Sequence, residues 1–170
     1  MKNLKITLTV LLLFAVFNTS FSQDKPLEAL KKMEGKWTGE GWVKLPNGTT
    51  QTFNQKETIE YKLNESILVI NGRGYHQKTN EKTFEAFAIM YKDMDGTIKM
   101  SSHTMEGKHI IATVESNENG YNWWFKTPNG GKIVYEITIK DNTWVEKGSY
   151  SPDGNQSFPF MEMALTKDTE

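Results

Sequence analysis

Lys132-Ile133-Val134-Tyr135-Glu136-Ile137-Thr138-Ile139-Lys140, then Asp141-Asn142, then Thr143-Trp144-Val145-Glu146-Lys147-Gly148-Ser149-Tyr150 is the stretch that decides the fold. Ile133, Tyr135, Ile137 and Ile139 alternate with Lys132, Glu136, Thr138 and Lys140, the period of two of a strand with one apolar face. Asp141-Asn142 is a turn signal, and the following strand places Trp144, Glu146, Gly148 and Tyr150 together on its even face. So short a link has no room for a crossover helix, which makes the two strands antiparallel neighbours.

The same punctuation recurs along the chain. Pro46-Asn47-Gly48, Asn64-Glu65, Lys78-Thr79-Asn80, Asp93-Met94-Asp95-Gly96, Glu106-Gly107, Asn117-Glu118-Asn119-Gly120, Pro128-Asn129-Gly130-Gly131 and Pro152-Asp153-Gly154 are further turns. They delimit about ten strands from Lys36 onward, a meander that closes on itself to remove its exposed edges. The expected class is all-β, an up-and-down antiparallel barrel of about ten strands, with a two-sheet sandwich as the alternative. Ahead of the strands, Leu27, Leu30 and Met33 sit at helical spacing. Asp24 is placed to cap a two-turn amphipathic helix over about 26–33, Pro26 suits its first turn and Gly35 ends it. So short a helix needs a partner surface, at one end of the barrel.

The first residues read differently. Lys2 and Lys5 precede an apolar run from Ile6 to Phe17, and Ser20 and Ser22 stand three and one positions before a cut after Ser22. That is the pattern of a secretory signal peptide over 1–22, followed by a single domain over 23–170; an uncleaved N-terminal anchor is the alternative. With no cysteine there is no lipoprotein anchor, disulfide or thiolate metal site, and the domain is expected to be secreted or periplasmic with no membrane span after cleavage. The net charge of −1 becomes more acidic when Lys2 and Lys5 leave, which argues against nucleic acid as a partner.

The entry segment Leu27-Glu28-Ala29-Leu30 with Gly35-Lys36-Trp37-Thr38-Gly39-Glu40-Gly41 resembles the start of calycin-type barrels. In lipocalins, fatty-acid-binding proteins and nitrobindin-like proteins a short helix leads into a Gly-x-Trp strand whose tryptophan closes the barrel base. The chain is more specifically similar to secreted bacterial lipocalin-like proteins close to domain-of-unknown-function family 1579. That likeness rests on Asn71-Gly72-Arg73-Gly74, Ser102-His103, Trp144-Val145-Glu146-Lys147-Gly148, Tyr150-Ser151-Pro152-Asp153-Gly154 and Phe160-Met161-Glu162-Met163. The resemblance implies a lumen and brings no known activity. Nitrobindin-like barrels hold heme through a late histidine, whereas every histidine here lies at or before His109, so no heme or other cofactor is expected.

Candidate lumen groups follow from alternation. The second strand's odd face, Phe53, Gln55, Glu57, Ile59, Tyr61 and Leu63, would carry Gln55 and Glu57 inward. In the third strand Ile67, Val69, Asn71, Arg73 and Tyr75 compete with Leu68, Ile70, Gly72, Gly74 and His76, and both sets begin apolar. If the odd set faces in, Arg73 and Glu57 share the lumen, and the guanidinium is suited to a ligand carboxylate. Otherwise the pair is structural or Arg73 meets solvent. Glu146, and Glu162 on the face of Phe158 and Phe160, are further candidate lumen acids. For His103 alternation does not choose a face.

These observations suit a carrier of a small, partly apolar ligand. Trp37, Tyr61 and Tyr135 would provide wall, and Arg73, Glu57, Glu146 or His103 would orient a polar head. The alternatives are a packed interaction barrel without ligand, or an enzyme using a lumen acid or histidine. No catalytic residue is assigned, since no nucleophile–base pair, Gly-x-Ser-x-Gly elbow or phosphate loop occurs. The three histidines lack zinc spacing.

Overall fold

The computed structural model describes residues 27–169. The expected signal peptide, Asp24 and Pro26 lie outside them. Ten strands follow one another in chain order: β1 (Gly35–Lys44), β2 (Thr50–Lys62), β3 (Ile67–His76), β4 (Lys82–Lys92) and β5 (Ile98–Thr104), then β6 (His109–Asn117), β7 (Gly120–Lys126), β8 (Lys132–Lys140), β9 (Thr143–Ser151) and β10 (Phe158–Lys167). Each pairs antiparallel with its neighbours, and β1 closes the ring on β10 in the register Trp37↔Lys167 to Val43↔Met161. The barrel is therefore closed, and the sandwich alternative falls away. The β8–β9 link is the tight turn expected: Asp141 and Asn142 have φ of 49° and 60°, the left-handed pair whose twist suits a two-residue hairpin.

The segment before β1 corrects one expectation. In place of a two-turn helix over about 26–33, residues Glu28–Met33 form a 3-10 helix. It still works as a plug: Leu27, Leu30 and Met33 are fully buried across one end of the barrel. Trp37 lies above them, its indole Nε1 donating to the Met33 carbonyl at 2.7 Å, and its ring meets Trp144 edge to face at 5.6 Å. Ile59, Leu68, Ile137, Ile139 and Leu165 complete this packed floor.

Alternation reads correctly for β2 from Phe53 to Tyr61, for β8 and for β9, whereas Leu63 lies past the end of β2 with φ of 51° and is exposed. In β3 the choice falls on the even set: Glu57 pairs with Gly72 and Lys56 with Arg73, so Leu68, Ile70, Gly72 and Gly74 face the lumen. In β10 a bulge between Pro159 and Met161 breaks the period. The extra residue lets Phe160 and Met161 both line the interior, and Glu162 turns outward to 3.9 Å from Lys147. Glu162 is thus not a lumen acid.

Candidate functional site

Above the packed floor the lumen is hollow. A cavity of about 610 Å³ runs from Met33 to the opposite rim, where Lys44, Pro46, Glu106 and Lys108 surround its mouth. Two features leave this space. Ten strands enclose a wider interior than the eight whose side chains just fill a barrel. Several inward positions are also glycine or alanine, among them Gly72, Gly74, Ala86 and Ala88. The remaining wall is soft and apolar, with Met90, Met100, Met161 and Met163 beside Phe53 and Phe160. Methionine lets such a wall adapt to irregular shapes.

Gln51, Thr83, Ser102 and Thr104 add polar groups to this wall, and a cluster of buried acids interrupts it. Glu57 on β2 and Glu146 on β9 are only 7% and 6% exposed, and Gln55 beside them is buried too. Gln55 Nε2 donates to Glu57 Oε1 at 2.7 Å, and Trp144 Nε1 donates to Glu146 Oε2 at 3.2 Å. Glu57 Oε2 and the Tyr121 hydroxyl, both buried, make no hydrogen bond to any described residue. Unpaired polar atoms in such a place are costly, on the order of 1–3 kcal/mol each, unless something else meets them.

The Glu57 carboxyl owes its position to Gly72. A Cβ at that residue would stand 2.7 Å from Oε1 and 2.8 Å from Oε2, so any side chain there would push the carboxyl from its place. Burial pushes Glu57 up to about 7, against a smaller lowering by the Gln55 hydrogen bond. Glu146 is pushed up to about 8 by burial and then by the charge of Glu57, with the indoles of Trp123 and Trp144 pulling the other way. Tyr121 is raised well above the ordinary phenol value by burial and by both acids. Around this cluster Trp123 stacks on Tyr135 with centroids 3.8 Å apart, and Phe160 meets Tyr135 edge on at 5.7 Å.

The candidate residues thus separate into three groups. Glu57, Glu146 and Tyr135 line one cavity. Trp37 and Tyr61 belong to the floor: the Tyr61 hydroxyl donates to the Leu27 carbonyl at 2.8 Å and so ties the plug to β2. Arg73 and His103 lie outside the barrel, which overturns the expectation that either orients a ligand head. Arg73 is 53% exposed and its Nε donates to Glu85 Oε1 at 2.9 Å. It points outward because Gly72 and Gly74 flank it on the inward face. His103 stacks on His109 across the β5–β6 pair at 4.4 Å, while Met100, Ser102 and Thr104 take the inward positions. Tyr121 joins the site without being among the candidates read from the sequence, although its alternation with Trp123 and Phe125 marks it as inward.

No protein-family model and no curated protein matches this chain. Solved structures do match. The crystal structure of Rv2717c from M. tuberculosis superposes with a TM-score of 0.65 at 10% identity, covering 85% of this chain and 98% of that one. The shared property is the barrel. At that identity the likeness concerns the fold and carries nothing about ligand or activity.

Proposed function

We propose that this chain is an exported carrier that holds a small, partly apolar molecule in the barrel lumen, and that it groups with the secreted bacterial lipocalin-like proteins. One observation carries the reading. An apolar cavity of about 610 Å³, open at one end, contains a buried polar cluster with unpaired atoms on Glu57 and Tyr121. Small-molecule sites typically combine about 300–1,000 Å³ of apolar wall with a few fixed polar groups. Export rests on the leader-like residues 1–22, and the grouping on the ordered motifs from Gly35-Lys36-Trp37 to Phe160-Met161-Glu162-Met163.

A second reading draws on the same acids. A carboxyl titrating near neutrality is a suitable general acid or base, so Glu57 or Glu146 would serve a lumen enzyme. Native mass spectrometry of the protein purified from its own host tests the carrier. The expected spectrum shows a single co-purified small molecule on a chain beginning at Gln23. Repeatedly empty protein that also fails to take up apolar probes would overturn the reading. Chemical conversion of the captured molecule on incubation, abolished in both Glu57→Gln and Glu146→Gln, would favour the enzyme.

A further inference from the structure

We propose that the lumen selects a protonated amine on an apolar body, its ammonium group seated between Glu57, Glu146 and Tyr121. This deepens the carrier reading and rests on it. The charge inventory of the cavity comes first. Among the described residues its lining contains two deep carboxyl groups and no deep cation. Lys44 and Lys108 belong to the exposed rim, beside Glu106. Arg73, the one arginine of the chain, is engaged by Glu85 on the outer surface. A ligand carboxylate would therefore meet two acids and nothing to neutralise it.

The two unpaired atoms within the acid cluster point the same way. An ionised Glu57 Oε2 can only accept a hydrogen bond, and the Tyr121 oxygen, on a residue only 2% exposed, can accept one as well. An ammonium group has N–H donors for both, with one left for Glu146. The Trp123–Tyr135 stack adds aromatic surface beside the acids, favourable to a desolvated cation. Methionine and phenylalanine walls then cover the body of the molecule. An alcohol can meet one orphan oxygen but cannot balance the acids once they ionise.

Ionisation gives this preference a pH signature. Both carboxyls are held partly protonated near neutrality, and a bound ammonium favours their charged forms, so a proton passes to solvent as the amine binds. The other titratable groups lining the cavity are Tyr121 and Tyr135, both pushed up by burial and therefore neutral here, and the rim groups Lys44, Glu106 and Lys108. An alkylamine stays charged up to about pH 10, like lysine. Its affinity should consequently rise between about pH 6 and pH 8, the interval in which the acids ionise.

Titration calorimetry with octylamine, octanoic acid, 1-octanol and octyltrimethylammonium tests the inference on the exported chain. At about pH 8 octylamine is expected to bind with a stoichiometry of one and at least roughly tenfold more tightly than the acid, the alcohol or the quaternary analogue, which has no N–H. Glu146→Gln and Glu57→Gln should each cut the amine's advantage about tenfold. Should either variant fold poorly, the rise of the amine-to-alcohol affinity ratio with pH in the unaltered protein gives the same information. Acid or alcohol binding as tightly as the amine would overturn the inference and leave the carrier standing. If none of the four binds, the inference falls, and the carrier reading falls with it when the protein purified from its host is also empty.

Discussion

The two ends of this barrel are cut from the same alternating strands, and they differ in what the inward positions carry. At the floor those positions hold Trp37, Ile59, Leu68, Ile137, Trp144 and Leu165, capped by Leu27, Leu30 and Met33. The Trp37 indole and the Tyr61 hydroxyl find backbone carbonyls there. Around the cavity the inward set includes Gly72, Gly74, Ala86 and Ala88, the space stays open, and Glu57 and Tyr121 keep unpaired atoms. Volume on the inward face decides which half is core and which is cavity. The packed half offsets the cost of keeping polar groups dry in the other.

The comparison is most easily broken at the floor. Trp37→Ala removes a fully buried indole and its hydrogen bond, with an expected loss of about 3–5 kcal/mol. Thermal unfolding should show a midpoint lower by about 10 °C or more. A drop of only one or two degrees would mean that the floor is not the core described.

A second, pH-dependent effect belongs to the buried acids. Their native pKa values, about 7 for Glu57 and about 8 for Glu146, lie above the unfolded value of 4.5. The native state therefore holds more protons than the unfolded chain within that window, and stability falls as pH rises through it. The contribution is fully present below about pH 4.5 and is gone above about pH 8, and a tenfold difference in proton affinity between the two states is worth about 1.4 kcal/mol. Glu57→Gln with Glu146→Gln should flatten the decline and raise the melting temperature at about pH 8 by several degrees. An unchanged slope of melting temperature against pH would contradict the burial of these groups.

A smaller change tests how closely Gly72 cradles Glu57. Gly72→Ala places a methyl against the carboxylate, at an expected cost of about 1–3 kcal/mol in stability. Octylamine binding should weaken several-fold at the same time, because the anchor is displaced. Calorimetry on the variant checks both. The smallest effect is expected on the outer wall. Arg73→Ala breaks only an exposed ion pair, so stability should change by less than about 1 kcal/mol and probe affinity should stay as it was.

Much of this architecture is legible before any coordinate. Ile133 to Ile139 and Trp144 to Tyr150 reveal their faces because bulky apolar residues recur at every second position, with Val134 and Val145 the departures on the other face, and Asp141-Asn142 fixes their pairing. Glu57 and Glu146 are legible as inward for the same reason. Arg73 is not, because Ile67-Leu68-Val69-Ile70 gives β3 two apolar faces, and only its register with β2, Glu57 opposite Gly72, chooses between them. Glu162 fails for another reason. A bulge adds one residue to β10 just after Pro159, so the face counted forward from Phe158 and Phe160 is no longer the face of Glu162. That the two acids share one cavity depends on closure between strands far apart in sequence, which alternation within single strands does not encode.

The methionines offer the most direct measurement of whether the upper lumen is a binding site. Met90, Met100, Met161 and Met163 line it, whereas Met94 and Met105 are exposed. With methyl-¹³C methionine in the protein, titration with the octyl probes is expected to shift the four lumen methyl resonances together for at least one probe. The Met94 and Met105 signals should stay fixed. Lumen methyls unmoved by every probe, or shifts confined to Met94 and Met105, would contradict the cavity as the site.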